Sequence, residues 1–171
     1  AIAAPRDGIR LQEELREAVS ISTGPSVIRF PKGSAPAPID ALRRLPGGSD
    51  ILFEAPSKDV LLVAVGAFAQ TAIEVAQMLA SQGIGATVVD TRWVLPISQD
   101  VIDTSAQHRL VVTLEDGVRV GGFGTRLRQE LRSHEVDTGL NEVGIPAEFL
   151  EHAEREEILE RLGLTAKAIS R

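Results

Sequence analysis

The chain has 171 residues, 43% of them hydrophobic and 25% charged, so its composition is that of a globular protein and not of a disordered chain. At roughly 100 to 200 residues per domain, this length gives one large domain, or one domain with part of a second. The 24 acidic residues against 18 basic ones give a net charge of −6, which excludes the basic surface of a general nucleic-acid-binding protein. The absence of cysteine excludes disulfides, thiolate nucleophiles and Cys-ligated metals, and the longest apolar run is too short to span a bilayer. We therefore expect a cytoplasmic protein that binds neither nucleic acid nor membrane.

The first 33 residues contain one predicted helix and one predicted strand. Apolar residues recur at helical spacing over Gly8–Val19, and Asp7 is placed to cap the helix N-terminus. A β-rich run follows at Ser26–Phe30. One helix and one strand cannot bury their apolar faces against each other alone, so we expect both to belong to a domain whose remainder lies outside this chain. Residues 31–50 are rich in proline and glycine, which predicts a linker.

After the linker, strand and helix patterns alternate. The predicted strands are Ile51–Ala55, Val60–Val65, Ala86–Asp90, Leu110–Leu114 and Leu140–Val143. The predicted helices are Phe68–Gln82, Ser98–Gln107, Gly121–Arg132 and a tail from Glu151 that breaks at Gly163. Such alternation is typical of right-handed crossovers between parallel strands. The fold class is therefore α/β, a three-layer sandwich with a mainly parallel sheet of about five strands.

Glycines cluster where two predicted strands lead into helices. Gly66 follows the first of these strands, and Gly117, Gly121, Gly122 and Gly124 follow the second. Free amides at a helix start can bind a phosphate or carboxylate, but the loops match neither a dinucleotide-binding nor a P-loop motif. We favour a packing role, in which glycine lets the helix approach the sheet closely.

The acidic pair Glu115 and Asp116 lies at the carboxyl end of a predicted strand, where α/β sheets commonly bind ligands. Neighbouring side chains on an extended backbone point to opposite faces, so the two carboxylates do not form a dyad that shares a proton. A helix cap or an interface ion pair is the favoured interpretation. The histidines His108, His134 and His152 fit no metal-ligand spacing and are predicted to lie on the surface.

Three further groups of side chains are assigned structural roles. Trp93, after Arg92, is predicted to anchor the end of the sheet and not to stack on a ligand. The arginines of the predicted helix Gly121–Arg132 are expected to form a solvated face with local ion pairs. The glutamates of 154–160 alternate with apolar residues, which is typical of an amphipathic helix and not of a metal site.

Arg29 is the strongest candidate for binding a substrate. It ends a β-rich run and is followed by Pro31, Lys32 and Gly33, a turn that can hold a guanidinium at the mouth of a pocket. The planar, doubly donating guanidinium suits phosphate recognition. A surface ion pair is the alternative, and spacing alone does not separate the two.

Several motifs together resemble the 1-deoxy-D-xylulose-5-phosphate synthase family, which belongs to the transketolase-like thiamine-diphosphate enzymes. The motifs are GPSVIRFPKG, VAVGAFAQTAIEVAQ, VVDTRWVLPI, VVTLEDGVRVGGFGTRLRQEL and NEVGIPAEFLEHAEREEILERLGLT, and they cover nearly the whole chain. The middle motifs are shared with transketolases and with the β-subunits of 2-oxoacid dehydrogenases. The turn at Arg29–Gly33 and the tail from Gly144 to Thr165 are similar to the synthases alone.

The resemblance implies an enzyme that joins pyruvate and glyceraldehyde 3-phosphate, with loss of CO₂, in isoprenoid and thiamine precursor biosynthesis. It implies a homodimer that uses thiamine diphosphate and Mg²⁺, and it places Arg29 against the sugar phosphate. It also implies that residues 1–33 are a remnant of a pyrimidine-binding domain, 34–50 a linker and 51–171 a transketolase-type C-terminal domain. The Gly-Asp-Gly and Asn that hold Mg²⁺ and the upstream catalytic histidines are absent from this sequence. We therefore expect a fragment that lacks the N-terminal and pyrimidine-binding domains, binds no cofactor and is inactive alone.

Two alternatives remain open at this point. One is the C-terminal domain of a transketolase or of a 2-oxoacid dehydrogenase β-subunit, which shares the middle motifs. The other is a non-catalytic regulatory α/β module that binds a small anion at the helix start after Gly66 or Gly121.

Overall fold

The structure, a computed structural model, describes all 171 residues and contains nine strands and six α-helices. The strands are β1 (Ile2–Ala3), β2 (Val27–Ile28), β3 (Arg43–Arg44), β4 (Asp50–Glu54), β5 (Val60–Ala64), β6 (Ala86–Asp90), β7 (Trp93–Leu95), β8 (Leu110–Val118) and β9 (Gly139–Ile145). The helices are α1 (Gly8–Ser20), α2 (Ala69–Ser81), α3 (Gln99–Ala106), α4 (Phe123–Ser133), α5 (Arg155–Arg161) and α6 (Ala166–Ile169). A short 3₁₀ turn at Gly66–Phe68 leads into α2.

Six strands form the main sheet, in the order β3-β4-β6-β5-β8-β9. The four strands β6, β5, β8 and β9 are parallel, whereas β3 and β4 run antiparallel along one edge. The α/β class and the mainly parallel sheet are confirmed, and the sheet has six strands where about five were predicted. The difference arises at the end of the expected linker, where the Leu45 carbonyl accepts a hydrogen bond from Gly48 and the Leu45 N–H donates to Ser49 at 2.8 Å. This turn directs β4 back along β3.

Helices cover both faces of the main sheet. Along β5, Leu61 and Val63 face a core shared with α3 and α4, while Leu62 and Ala64 face a core shared with α2 and α6. All four side chains are buried, which is why this strand has a continuous apolar run. The result is the three-layer sandwich that the sequence predicts.

A second, smaller sheet attaches the N-terminal residues to this sandwich. Its central strand β1 pairs with β2 in parallel and with β7 in antiparallel orientation. Helix α1 begins where predicted, because the Asp7 side chain accepts a hydrogen bond from the Arg10 N–H at 2.8 Å. The division into residues 1–33, 34–50 and 51–171 stays a prediction.

The longest helices, α1 and α2, each have 13 residues. None of the helices combines the length and the apolar character that crossing a bilayer requires.

Candidate functional site

Three charged side chains from distant parts of the sequence meet at the carboxyl end of β8. Arg29, just after β2, donates from Nη2 to Oδ1 of Asp116 at 2.6 Å and to the main-chain oxygen of Asp116 at 2.9 Å. Arg155, the first residue of α5, donates from its own Nη2 to the other carboxylate oxygen of Asp116 at 3.1 Å. One carboxylate therefore joins two arginines, and the cluster keeps a net charge of about +1.

Arg29 is held from its backbone as well as from its side chain. Its N–H donates to the carbonyl of Ala3 in β1 at 2.9 Å. The Nε and Nη1 atoms donate no hydrogen bond within the protein, and the side chain is 45% exposed. The structure thus includes the ion pair that was the alternative for Arg29, while leaving three of its five N–H donors free.

Glu115, the neighbour of Asp116, points to the other side of β8 and caps α4. Its two carboxylate oxygens accept hydrogen bonds from the N–H groups of Phe123 and Gly124, both at 3.0 Å. Burial raises the pKa of this carboxyl above its usual range. The predicted interpretation of the acidic pair is confirmed, with Glu115 as the helix cap and Asp116 as the ion-pair partner.

An open cleft of about 340 Å³ lies beside this cluster. Ile2, Val94, Leu95 and Phe123 contribute apolar lining, and the charged lining includes Arg29 and Arg126. A smaller space of about 60 Å³ lies on the other side of Arg29, between Asp116 and the loop at Gly66. Arg29 therefore borders two spaces that can receive part of a ligand.

Gly66 and Gly124, one in each strand-to-helix loop, serve close packing, as predicted. A side chain at Gly66 would meet the Cβ and the carbonyl of Ala4 at 3.2 Å, and Gly66 has a φ of +55°. A Cβ at Gly124 would lie 2.5 Å from Oγ1 of Thr113. Moreover, the Glu115 carboxylate already accepts hydrogen bonds from the first N–H groups of α4. These donors are therefore not free to bind an external anion at the helix start after Gly121, which argues against that alternative.

One of the histidine predictions is wrong. His108 is buried, with only 5% of its surface exposed, and its ring nitrogens lie 2.8 Å from the Thr104 carbonyl and 3.0 Å from Oγ1 of Thr87. Burial lowers the pKa of its imidazole. The polar neighbours of His108 in sequence gave no sign of this, because Thr87 contacts the ring from β6, 21 residues away. His134 and His152 are exposed, as predicted.

The Arg92–Trp93 pair binds helix α1. Arg92 Nη2 lies 2.5 Å from Oε1 of Glu17, and the Trp93 indole N–H donates to the other oxygen of Glu17 at 2.8 Å. Arg92 is almost fully buried. Its φ of +56° is a backbone conformation that residues other than glycine rarely adopt. The predicted anchoring role of Trp93 is confirmed, and the element that it holds is α1.

The arginines of α4 lie on a solvated face, as predicted. Arg128 of α4 pairs with Glu142 at 2.9 Å, and Arg132 pairs with Asp137 at 2.6 Å, both on the surface. No group of three His, Asp or Glu side chains in the chain is arranged to hold a metal ion. Arg155 was not singled out from the sequence, and no local pattern distinguishes it, because its partner Asp116 is 39 residues away.

Comparisons with known proteins agree on one family. The family described as "Transketolase, C-terminal domain" matches residues 49–169. The chain is 56% identical to the 1-deoxy-D-xylulose-5-phosphate synthase of Leifsonia xyli subsp. xyli and 57% identical to that of Clavibacter sepedonicus, over 99% of its own length in both cases. It spans about a quarter of the length of these curated relatives, 26% of each.

A solved structure has the same architecture. The chain superposes on a split-gene transketolase, described as an inactive β4 tetramer, with a TM-score of 0.85 and 29% identity. The superposition covers 99% of this chain and 55% of that one.

Proposed function

This chain belongs to the transketolase C-terminal domain family, and we propose that it is the carboxyl-terminal part of a 1-deoxy-D-xylulose-5-phosphate synthase. The observation that carries the proposal is the identity of 56% and 57% with two such synthases, extending over 99% of the chain. Because the alignment covers 99% of the chain, it extends into residues 1–48, which lie outside the family match at 49–169. A transketolase is a weaker candidate, because a solved transketolase chain with the same fold is only 29% identical. The turn at Arg29–Gly33, which is similar to the synthases alone, argues against a 2-oxoacid dehydrogenase β-subunit.

The proposed reaction joins two carbons of pyruvate to glyceraldehyde 3-phosphate, with loss of CO₂. Thiamine diphosphate, when bound, supplies the electron sink for the decarboxylation. No cluster of acidic or histidine side chains in this chain suits Mg²⁺, so we assign the diphosphate and its metal to parts of the enzyme outside the chain. A homodimeric enzyme and a cytoplasmic location are part of the same proposal.

In this scheme Arg29 binds the phosphate group of glyceraldehyde 3-phosphate. Its free Nε and Nη1 donors, its position between two spaces and the net positive charge of its cluster support this role. A phosphate monoester carries a charge of about −1.5 to −2 near neutral pH, so a fixed guanidinium favours the phosphorylated acceptor. Pyruvate has a single carboxylate and is not assigned to Arg29.

The test uses a chimeric synthase, in which residues 1–171 replace the matching segment of the Leifsonia xyli enzyme. We expect this chimera to turn over pyruvate and glyceraldehyde 3-phosphate. Arg29→Ala should raise the KM for glyceraldehyde 3-phosphate by about tenfold or more and leave the KM for pyruvate nearly unchanged. Arg132→Ala, which removes an exposed arginine of a surface pair, is the matched control and should change neither.

Two outcomes would contradict the proposal. An inactive but folded chimera would argue against the assignment to the synthases. If Arg29→Ala changed the KM values for both substrates equally, Arg29 would not be the residue that binds the phosphate group. The isolated chain, supplied with thiamine diphosphate and Mg²⁺, should not consume pyruvate. Turnover by the isolated chain would show that the cofactor site is not where we assign it.

A further inference from the structure

Asp116 is the point at which three separate segments of the chain meet. It lies 87 residues from Arg29 and 39 from Arg155, and it accepts hydrogen bonds from both. The Asp116 side chain is only 17% exposed, whereas the two arginines are 45% and 43% exposed. The carboxylate is therefore the fixed member of the cluster, and the longer cations are arranged around it.

The backbone around Asp116 is restrained from both sides. Glu115 is bound to two amides of α4. The pairing of β8 with β9 shifts register after Leu114 and resumes at Val118, which pairs with Ile145. Arg29 also donates to the main-chain oxygen of Asp116, and this hydrogen bond does not depend on the side chain at position 116. The Asp116 carboxylate thus directs Arg29 from a short irregular stretch of β8 that is held at both ends.

The two bonds to Asp116 occupy Nη2 of Arg29 and leave Nε and Nη1 free. A free arginine side chain has many rotamers, and ordering them opposes ligand binding. Fixing one nitrogen on a carboxylate orders the guanidinium before the phosphate arrives. Because Arg155 neutralises the remaining charge of Asp116, the negative carboxylate repels an incoming phosphate less.

We propose that Asp116 is a positioning residue for Arg29, restrained in turn by Arg155, and that it thereby sets the affinity for the phosphorylated acceptor. This inference rests on the proposed phosphate-binding role of Arg29. The opposite possibility is that Asp116 competes with phosphate for the guanidinium, in which case its removal would tighten binding.

The chimeric synthase separates these possibilities. Asp116→Asn should raise the KM for glyceraldehyde 3-phosphate by about three- to tenfold, with a nearly unchanged KM for pyruvate, because a charge-assisted bond becomes a neutral one. Asp116→Glu retains the charge and should recover most of the affinity. Arg155→Ala should also raise the KM for glyceraldehyde 3-phosphate, by about twofold. Asp137→Asn, in the exposed pair with Arg132, is the matched control.

A double-mutant cycle gives the decisive measurement. With Arg29 already replaced by alanine, Asp116→Asn should have no further effect on the KM for glyceraldehyde 3-phosphate. The proposal is overturned if Asp116→Asn lowers this KM, if its effect persists in the Arg29→Ala background, or if both KM values rise together. If Arg29→Ala does not raise the KM for glyceraldehyde 3-phosphate selectively, the phosphate-binding role of Arg29 is rejected. If Arg29→Ala raises it selectively but Asp116→Asn leaves it unchanged, only the positioning role of Asp116 is rejected.

Discussion

Nη1 of Arg6 lies 2.6 Å from Oδ2 of Asp90, and neither side chain is accessible to solvent. The same nitrogen lies 2.7 Å from Oδ2 of Asp50, so one cation binds two carboxylates on the adjacent strands β4 and β6. Nε and Nη2 of Arg6 donate to the carbonyl of Ile39. Arg6 therefore connects the N-terminal segment to strands β4 and β6 of the main sheet and to the loop before β3.

Replacing Arg6 should strongly destabilise the chain. Arg6→Ala leaves Asp50 and Asp90 buried with less compensation, and breaking such a pair typically costs about 3–5 kcal/mol. Urea unfolding followed by circular dichroism measures the change. Arg16→Ala, at an exposed position of α1, is the control and should shift the unfolding free energy by less than about 0.5 kcal/mol. Equal effects of the two variants would show that the Arg6 network does not hold the segment.

Glu14 is a buried carboxyl without a hydrogen-bond partner. Its nearest cation is Arg92, whose Nε lies 3.8 Å away, and the acidic groups of Asp90, Glu13 and Glu17 are also close. Burial, reinforced by Asp90, raises its pKa from 4.5 to about 8, while Arg92 partly opposes the shift. In the folded chain, Glu14 is therefore mainly protonated at neutral pH.

This carboxyl predicts a pH-dependent stability. Between the unfolded pKa of 4.5 and the folded pKa of about 8, the native state binds one more proton at Glu14 than the unfolded state. Its contribution is therefore fully present below pH 4.5 and is lost as the pH rises through about 8. Glu14→Gln should remove this dependence, so that the variant gains stability relative to the parent chain as the pH is raised. Urea unfolding at several pH values tests this.

The control for Glu14 is Glu74→Gln, which changes an exposed glutamate of α2 in the same way. Its stability relative to the parent measures the effect of a Glu-to-Gln change at an exposed position of a helix. Titration of the buried His108 is common to all three chains and cancels in the differences. A pH-independent difference between Glu14→Gln and the parent would mean that Glu14 is charged in the folded state.

Gly124 should not tolerate alanine, although alanine is the better helix former. A Cβ at this position would lie 2.5 Å from Oγ1 of Thr113 and 2.7 Å from Cγ of Glu142. We expect Gly124→Ala to cost about 1–3 kcal/mol of unfolding free energy through overpacking between α4 and the sheet. At Gly139 the nearest atom to such a Cβ is Cδ1 of Leu110 at 3.7 Å, so Gly139→Ala should be nearly neutral. Thermal and urea unfolding of both variants make the comparison, and similar losses would contradict the packing role.

The main elements of the sandwich could be predicted because each carries its own signal. Strand β6 has the predicted bounds Ala86–Asp90, and β5 differs from its prediction by one residue. Strand β5 is a run of apolar residues covered on two faces, and β6 is a short β-rich segment that is buried throughout. Strands β1 and β7 were not predicted. Two or three residues are too few to show a period, and their pairing joins positions about 90 residues apart, such as Ile2 and Leu95.

The candidate site, too, could be predicted from the sequence only in part. Glu115 could be interpreted as a cap because it lies eight residues before Phe123, close to a predicted helix start. Arg29 was singled out from its own turn. That Asp116 binds both Arg29 and Arg155 depends on tertiary structure, because three elements with no common local pattern have to meet there. The burial of His108 by Thr87 has the same origin.

The central position of β1 has a consequence for proteolysis. In the sequence, β2 precedes the exposed stretch 31–38 and β7 follows it, and β1 is hydrogen-bonded to both strands. A single nick in that stretch would yield two peptides that still share a sheet and the buried Arg6 contacts. The cleaved protein would therefore migrate as one species until it is denatured, and the separated halves would be suited to reassembly by complementation.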